Sequence, residues 1–325
     1  MLGGRAKAGV LVFALLVLVV EGAFLYRSYD RYYGSDAASG TPSRATDENS
    51  RGDYTYPPMT VVAAGDIARC DSESDEATAE LVGGIEGSTV LTLGDNAYPS
   101  GTASEFKNCY GPSWGRFEGR TRPSPGNHEY YTEGAAGYFE YFGKAAGDPD
   151  EGYYSYDLGA WHLVALNSNC GEEEIRCGPG SPQMAWLEED LAANDEATCT
   201  LAYFHHPLFT SGTYRPGVAR VKRLWEALYA AGVDVVLNGH DHSYQRFAPQ
   251  DPEGGADPEG GIRQFVVGTG GGNLDEISDP IANTEVHNDD AYGLLKLTLH
   301  PKKYEWEFVP VEGETFSDSG GARCH

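Results

Sequence analysis

Five short blocks concentrate the residue types that bind metals and move protons. In chain order they are Gly65-Asp66, Gly94-Asp95-Asn96-Ala97-Tyr98, Gly126-Asn127-His128-Glu129, His205-His206-Pro207 and Gly239-His240-Asp241-His242. Singly, each has an ordinary reading. A Gly-Asp pair after a strand is often only a turn, and an isolated histidine is usually a hydrogen-bonded structural residue. Carboxylate, imidazole and amide oxygen gathered together, however, are the donors that iron, zinc and manganese take. Five such blocks, in order and mostly at the ends of apolar runs, point to one shared metal site rather than to unrelated turns.

The elements that must position them are short. Met59–Ala64, Thr89–Leu93, Leu201–Phe204 and Val233–Leu237 are near-continuous apolar runs, as expected of strands covered on both faces. Ser181-Pro182 opens a helix with an N-cap serine and proline at the first helical position. Met184, Leu187 and Leu191 recur in it at helical spacing, with Trp186 at the edge of the stripe. A second helix spans 218–231, with Val221, Leu224, Trp225 and Leu228 on one face and Gly232 to end it. Residues 152–169 and 293–311 alternate and predict antiparallel hairpins. The fold class is therefore α/β, with two packed mixed sheets flanked by helices. In such sheets ligands bind beyond the carboxyl ends of the strands, where these blocks lie. Gly268–Gly272 follows a strand without a helix signal after it, and reads as a tight loop near the site rather than a phosphate cradle.

The five blocks resemble those of the calcineurin-like metallophosphoesterases, in particular the purple acid phosphatase branch. That branch is marked by an Asp without the usual following His, then GDxxY, GNH[DE], VxxH and GHxH. The resemblance covers residues 59 to about 311. Ala68 stands where the branch has a Gly and Ala202 where it has a Val, and neither position is a ligand. The resemblance implies the four-layer sandwich of that superfamily and a dinuclear centre. Asp66, Asp95, Tyr98 and His242 form an anionic, oxygen-rich set suited to Fe(III). Asp95, Asn127, His205 and His240 suit Zn, Mn or Fe(II), with Asp95 as the bridge. It further implies hydrolysis of phosphate monoesters by a metal-bound hydroxide, without a covalent enzyme intermediate. His128, next to Asn127, is the expected proton donor to the leaving group, and His206 a contact for substrate phosphate. A phosphodiesterase on the same platform is the alternative reading. A catalytically silent cell-surface protein is a third, disfavoured because all seven ligand positions are filled.

Charge and cysteine content set the context. The chain of 325 residues carries a net charge of −26, all of it in 59–325; residues 1–58 hold six basic and six acidic residues. Such acidity excludes a general nucleic-acid binder and leaves a small phosphoester as the expected partner. Arg5 and Lys7 precede an uncharged apolar run from Ala8 to Val20, which predicts export, with 1–27 as a cleaved signal or a retained membrane anchor. Residues 28–58 read as a flexible linker and 59–325 as the catalytic domain. An even cysteine count in an exported chain predicts three disulfides. Cys170–Cys177 is the pair the spacing favours, and Cys199–Cys324 would pin the C-terminus. The expected location is extracellular, secreted or held at the outer face of the cell membrane.

Overall fold

The computed structural model describes residues 56–171, 175–212 and 218–325. The expected signal or anchor (1–27) and the linker as far as residue 55 lie outside the described residues. The first strand begins at Met59, directly after Pro57-Pro58.

Two mixed sheets form the frame. The first holds β1 (Met59–Ala64), β2 (Thr89–Leu93), β3 (Thr121–Ser124), β11 (Gly293–His300), β12 (Lys303–Pro310) and β13 (Ser319–Arg323), in the order β13-β12-β11-β1-β2-β3. The second holds β4 (Tyr154–Leu158), β5 (Trp161–Ala165), β6 (Cys199–Tyr203), β7 (Val235–Asn238), β8 (Tyr244–Phe247), β9 (Arg263–Val267) and β10 (Thr284–Asn288), in the order β10-β8-β9-β7-β6-β5-β4. Strands β1, β2 and β3 run parallel, as do β5, β6, β7 and β9. The two predicted hairpins are β4–β5 and β11–β12.

The apolar runs split by their period of two. Leu163, Ala165, Leu201, Tyr203, Val235 and Leu237 join Val61, Ala63, Leu91 and Leu295 in the core between the sheets. Their neighbours Val164, Ala202, Phe204 and Val236 face a second core, shared with helices. This is why those strands read as continuous apolar segments rather than alternating ones. The helices are α1 (Ser74–Gly84), the short α2 (Ala103–Glu105) and α3 (Ala136–Phe142), then α4 (Pro182–Ala193) and α5 (Val218–Ala230). Ser181 caps α4 by accepting from the Met184 N–H, with Pro182 at the first turn. Met184 and Leu187 of α4 and Val221, Leu224, Trp225 and Leu228 of α5 are buried on the second core.

Three disulfides tie the periphery to this frame: Cys70–Cys109, Cys170–Cys177 and Cys199–Cys324. The last closes a loop of 125 residues, the longest of the three, so it removes the most chain entropy from the unfolded state. Among the described residues no helix is long and apolar enough to cross a membrane.

Candidate metal centre

The five blocks leave β1, β2, β3, β6 and β7 at one end of the sheets, and their side chains meet. Tyr98 Oη lies 2.9 Å from Asp66 Oδ1, 3.3 Å from Asp95 Oδ2 and 3.0 Å from His242 Nε2. His242 Nε2 is 3.2 Å from Asp66 Oδ1. On the other side, His205 Nε2 is 3.3 Å from Asp95 Oδ2, 3.1 Å from Asn127 Oδ1 and 3.2 Å from His240 Nδ1. Two donor sets therefore converge, and a single atom, Asp95 Oδ2, belongs to both.

Each carboxylate is held by its other oxygen. Asp95 Oδ1 accepts the His128 N–H at 2.8 Å, and Asp66 Oδ2 accepts the His240 N–H at 2.8 Å. The imidazoles are fixed in the same way. His205 Nδ1–H donates to the Leu93 carbonyl at 2.8 Å and His242 Nδ1–H to the Asn273 carbonyl at 2.5 Å. In both, Nε2 is left facing the centre, the orientation that outer hydrogen bonds give to metal-binding histidines.

The backbone is bent to make this possible. Asp66, Asp95 and His240 adopt left-handed conformations, with φ of 60°, 50° and 71°. Such conformations cost of order 1–3 kcal/mol each for non-glycine residues and concentrate at functional sites. The glycines of the blocks allow close approach. A Cβ on Gly126 would stand 2.1 Å from Asp95 Oδ1, and one on Gly239 would stand 2.7 Å from Asp66 Oδ2. The predicted tight loop at Gly268–Gly272 packs beneath the centre, where Gly272 N–H donates to the Asp66 carbonyl at 2.7 Å.

The electrostatics suit a cation. Asp66 and Asp95 are almost wholly buried. Burial alone would raise both carboxyls, but His242 and His205 outweigh it at Asp66, and His205 and His128 at Asp95, so both fall below the usual carboxylate range. Burial disfavours charge on His205 and His242 as well, yet the facing carboxylates lift each to about 9. Protons on imidazole thus supply the positive charge that this anionic pair demands, and a bound metal ion would take their place, since ligands bind metals deprotonated. Burial and both carboxylates hold the Tyr98 phenol well above its ordinary value. Only a strongly charged cation offsets that bias, so a tri- or divalent ion fits the set. Two groups of donor atoms at the centre lie within 4.8 Å of one another: Asp66, Asp95 and His205, and His205, His206 and His240.

His128 stands at the rim, partly exposed. Its Nδ1 contacts the Pro99 carbonyl at 2.6 Å and its Nε2 lies 3.7 Å from Asp95 Oδ2. His206 is buried against the His205 and His240 rings. Ser168 Oγ accepts the His206 N–H and lies 2.9 Å from its Nδ1. Ser168 thus grips His206 at both its backbone and its ring. Burial, with His205 and His240 nearby, keeps this imidazole neutral. Elsewhere, His162 sits between Asp157 and Asp190, and His325 against Asp234, away from the centre.

Sequence reasoning assigned no role to Ser168 or to Glu129. The Glu129 carboxylate is fully buried and accepts four backbone N–H groups: Asp95 at 2.9 Å, Asn96 at 2.8 Å, Ala97 at 3.3 Å and Gly126 at 2.7 Å. It locks the second block to the third. The signal was its place beside His128, yet an acid there looks like any surface acid until its partners are seen. Glu129→Gln would turn an amide NH₂ towards two of these donors. Leaving them unsatisfied costs about 1–3 kcal/mol each. The expected outcome is a loss of about 2–6 kcal/mol in urea unfolding, with unchanged stability as the result that removes the clamp.

Residues 59–244 match the calcineurin-like phosphoesterase family model. Purple acid phosphatase 15 of Arabidopsis thaliana is 28% identical over 48% of this chain and 35% of its own length. Probable purple acid phosphatase 20 of the same plant is 25% identical over 83% of this chain and 66% of its own. This chain thus spans about a third to two thirds of the length of these curated relatives. The solved structure of purple acid phosphatase PPD1 from yellow lupin (Lupinus luteus) aligns with a TM-score of 0.64 at 18% identity, covering 82% of this chain and 54% of that one. That likeness shows the fold, and the two sheets flanked by helices agree with it.

Proposed function

The chain belongs to the calcineurin-like phosphoesterase family, and on that footing we propose that it is a dinuclear metal-dependent phosphomonoesterase. The observation that carries the reading is Asp95 Oδ2, shared by two convergent donor sets. Asp66, Asp95, Tyr98 and His242 would hold iron(III). Asp95, Asn127, His205 and His240 would hold zinc, manganese or iron(II). When bound, the two ions supply Lewis acidity towards phosphoryl oxygens and acidify water near neutral pH. His206, kept neutral by its burial beside His205 and His240, is the contact for a phosphoryl oxygen. His128 delivers a proton to the departing ester oxygen from Nε2, the nitrogen turned to the site. Residues 59–325 form the catalytic domain, preceded by a linker (28–58) and a signal or anchor (1–27). Three disulfides and the basic-apolar N-terminus support an extracellular location.

A paired assay tests the reading. Purified protein, analysed for metal content, is given an aryl phosphate monoester and the matching diester. Two metals per chain and a monoester kcat/KM at least about tenfold higher, or about 1.4 kcal/mol, are expected. A reversed preference makes the protein a phosphodiesterase. Two metals without turnover of either ester leave a silent binding protein.

A further inference from the structure

Tyr131 carries a large ring that the core does not use. It is 64% exposed, the most exposed large hydrophobic side chain among the described residues. It closes a single 3₁₀ turn, Glu129–Tyr131, directly after Asn127 and His128. Its ring centroid lies 4.7 Å from that of His128, with 57° between the planes. Its hydroxyl accepts from Asn127 Nδ2 at 3.3 Å. That contact turns Asn127 Oδ1 inwards, 3.1 Å from His205 Nε2.

The side chain is therefore held in place by its neighbours yet open to solvent on the rim of the site. A lone exposed ring carries no meaning by itself; the contact with His128, beside the two donor sets, is what points to a ligand. The ring also stands on the side of the centre where His128 meets the departing group. A planar ring in the leaving group can lie against it in an offset or edge-on arrangement, which saturated groups of the same size do not reproduce.

We propose that Tyr131 is a specificity platform that selects phosphoesters whose leaving group carries a planar aromatic ring. The inference rests on the phosphoesterase reading above. It assigns the substrate class through the leaving group, and not through the phosphate.

Benzyl phosphate and cyclohexylmethyl phosphate test it, because both release a primary alkoxide and differ mainly in ring planarity. The full-length protein with its metals is expected to favour benzyl phosphate roughly tenfold in kcat/KM, chiefly through KM. Tyr131→Phe keeps that ratio, and Tyr131→Leu brings it towards one. A ratio unchanged in Tyr131→Leu, or near one in the unaltered protein, overturns the proposal. Dissociation constants for benzylphosphonate and cyclohexylmethylphosphonate give a readout free of turnover. If neither ester is hydrolysed, the phosphomonoesterase reading fails. A benzyl preference in binding that Tyr131→Leu abolishes still supports the platform, and equal binding of the two phosphonates refutes it.

Discussion

Asp95→Ala is expected to release both metals and to lower kcat/KM on aryl phosphates by roughly 10³–10⁴-fold. The reason is geometric. Asp95 Oδ2 is the one atom common to the Tyr98–His242 side and the His205–Asn127 side of the centre. Removing any other ligand weakens one set, whereas removing this one weakens both. Stabilisation of transition-state charge by bound cations is worth several kcal/mol, and each 1.36 kcal/mol is a factor of ten in rate. The alanine also frees the His128 N–H, which donates to Asp95 Oδ1. Glu129 still grips the Asp95 N–H, so the loop keeps its main-chain anchor. Elemental analysis beside circular dichroism checks the result. A folded variant that retains two metals would show that Asp95 is not the bridge.

His128→Ala should divide substrates by leaving group. General acid catalysis contributes roughly 10²–10⁴-fold, but only where the departing oxygen needs the proton. An alkoxide needs it and a nitrophenolate hardly does. Alkyl phosphates should therefore slow by about that factor, with nitrophenyl phosphate nearly unaffected and both metals retained. The proposed role draws on the contacts of the ring. Its ring is partly exposed, Nδ1 is engaged by the Pro99 carbonyl, and Nε2 stays 3.7 Å from Asp95 Oδ2. Equal loss on both esters would move His128 to phosphate binding, and loss of metal would move it into the ligand set. The effect runs opposite to that of Tyr131→Leu, which penalises planar leaving groups, so the two residues are separable by substrate panel.

Much of the frame was legible because local chemistry and tertiary environment agree. Ser181-Pro182 can begin only an element that tolerates proline at its first turn, and α4 starts there. The runs at Met59, Thr89, Leu201 and Val235 carry apolar residues at consecutive positions because both of their faces meet packed layers. Cys170 and Cys177 pair across a short loop, as their spacing suggested. Cys199–Cys324 pins the C-terminus, and Cys70–Cys109 is the pair that remains.

The sequence by itself determined the donor types, their order and their place at strand ends, since these follow from residue identity and apolar pattern. Tertiary structure alone decided which atoms face one another. Asp95 Oδ2 lies between two donor sets because Asp95 sits in a left-handed turn whose other carboxylate oxygen is tied to His128. Glu129 became a clamp because four N–H groups from two distant segments point at one buried carboxylate. Ser168, 38 residues from His206, holds that residue by its backbone N–H and its ring. Tyr131 looks in sequence like any tyrosine beside another. Its contacts with Asn127 and His128 come from the 3₁₀ turn Glu129–Tyr131, and its exposure from the absence of covering residues among those described. Hydrogen-bond direction and burial are properties of pairs, and no single residue type encodes them.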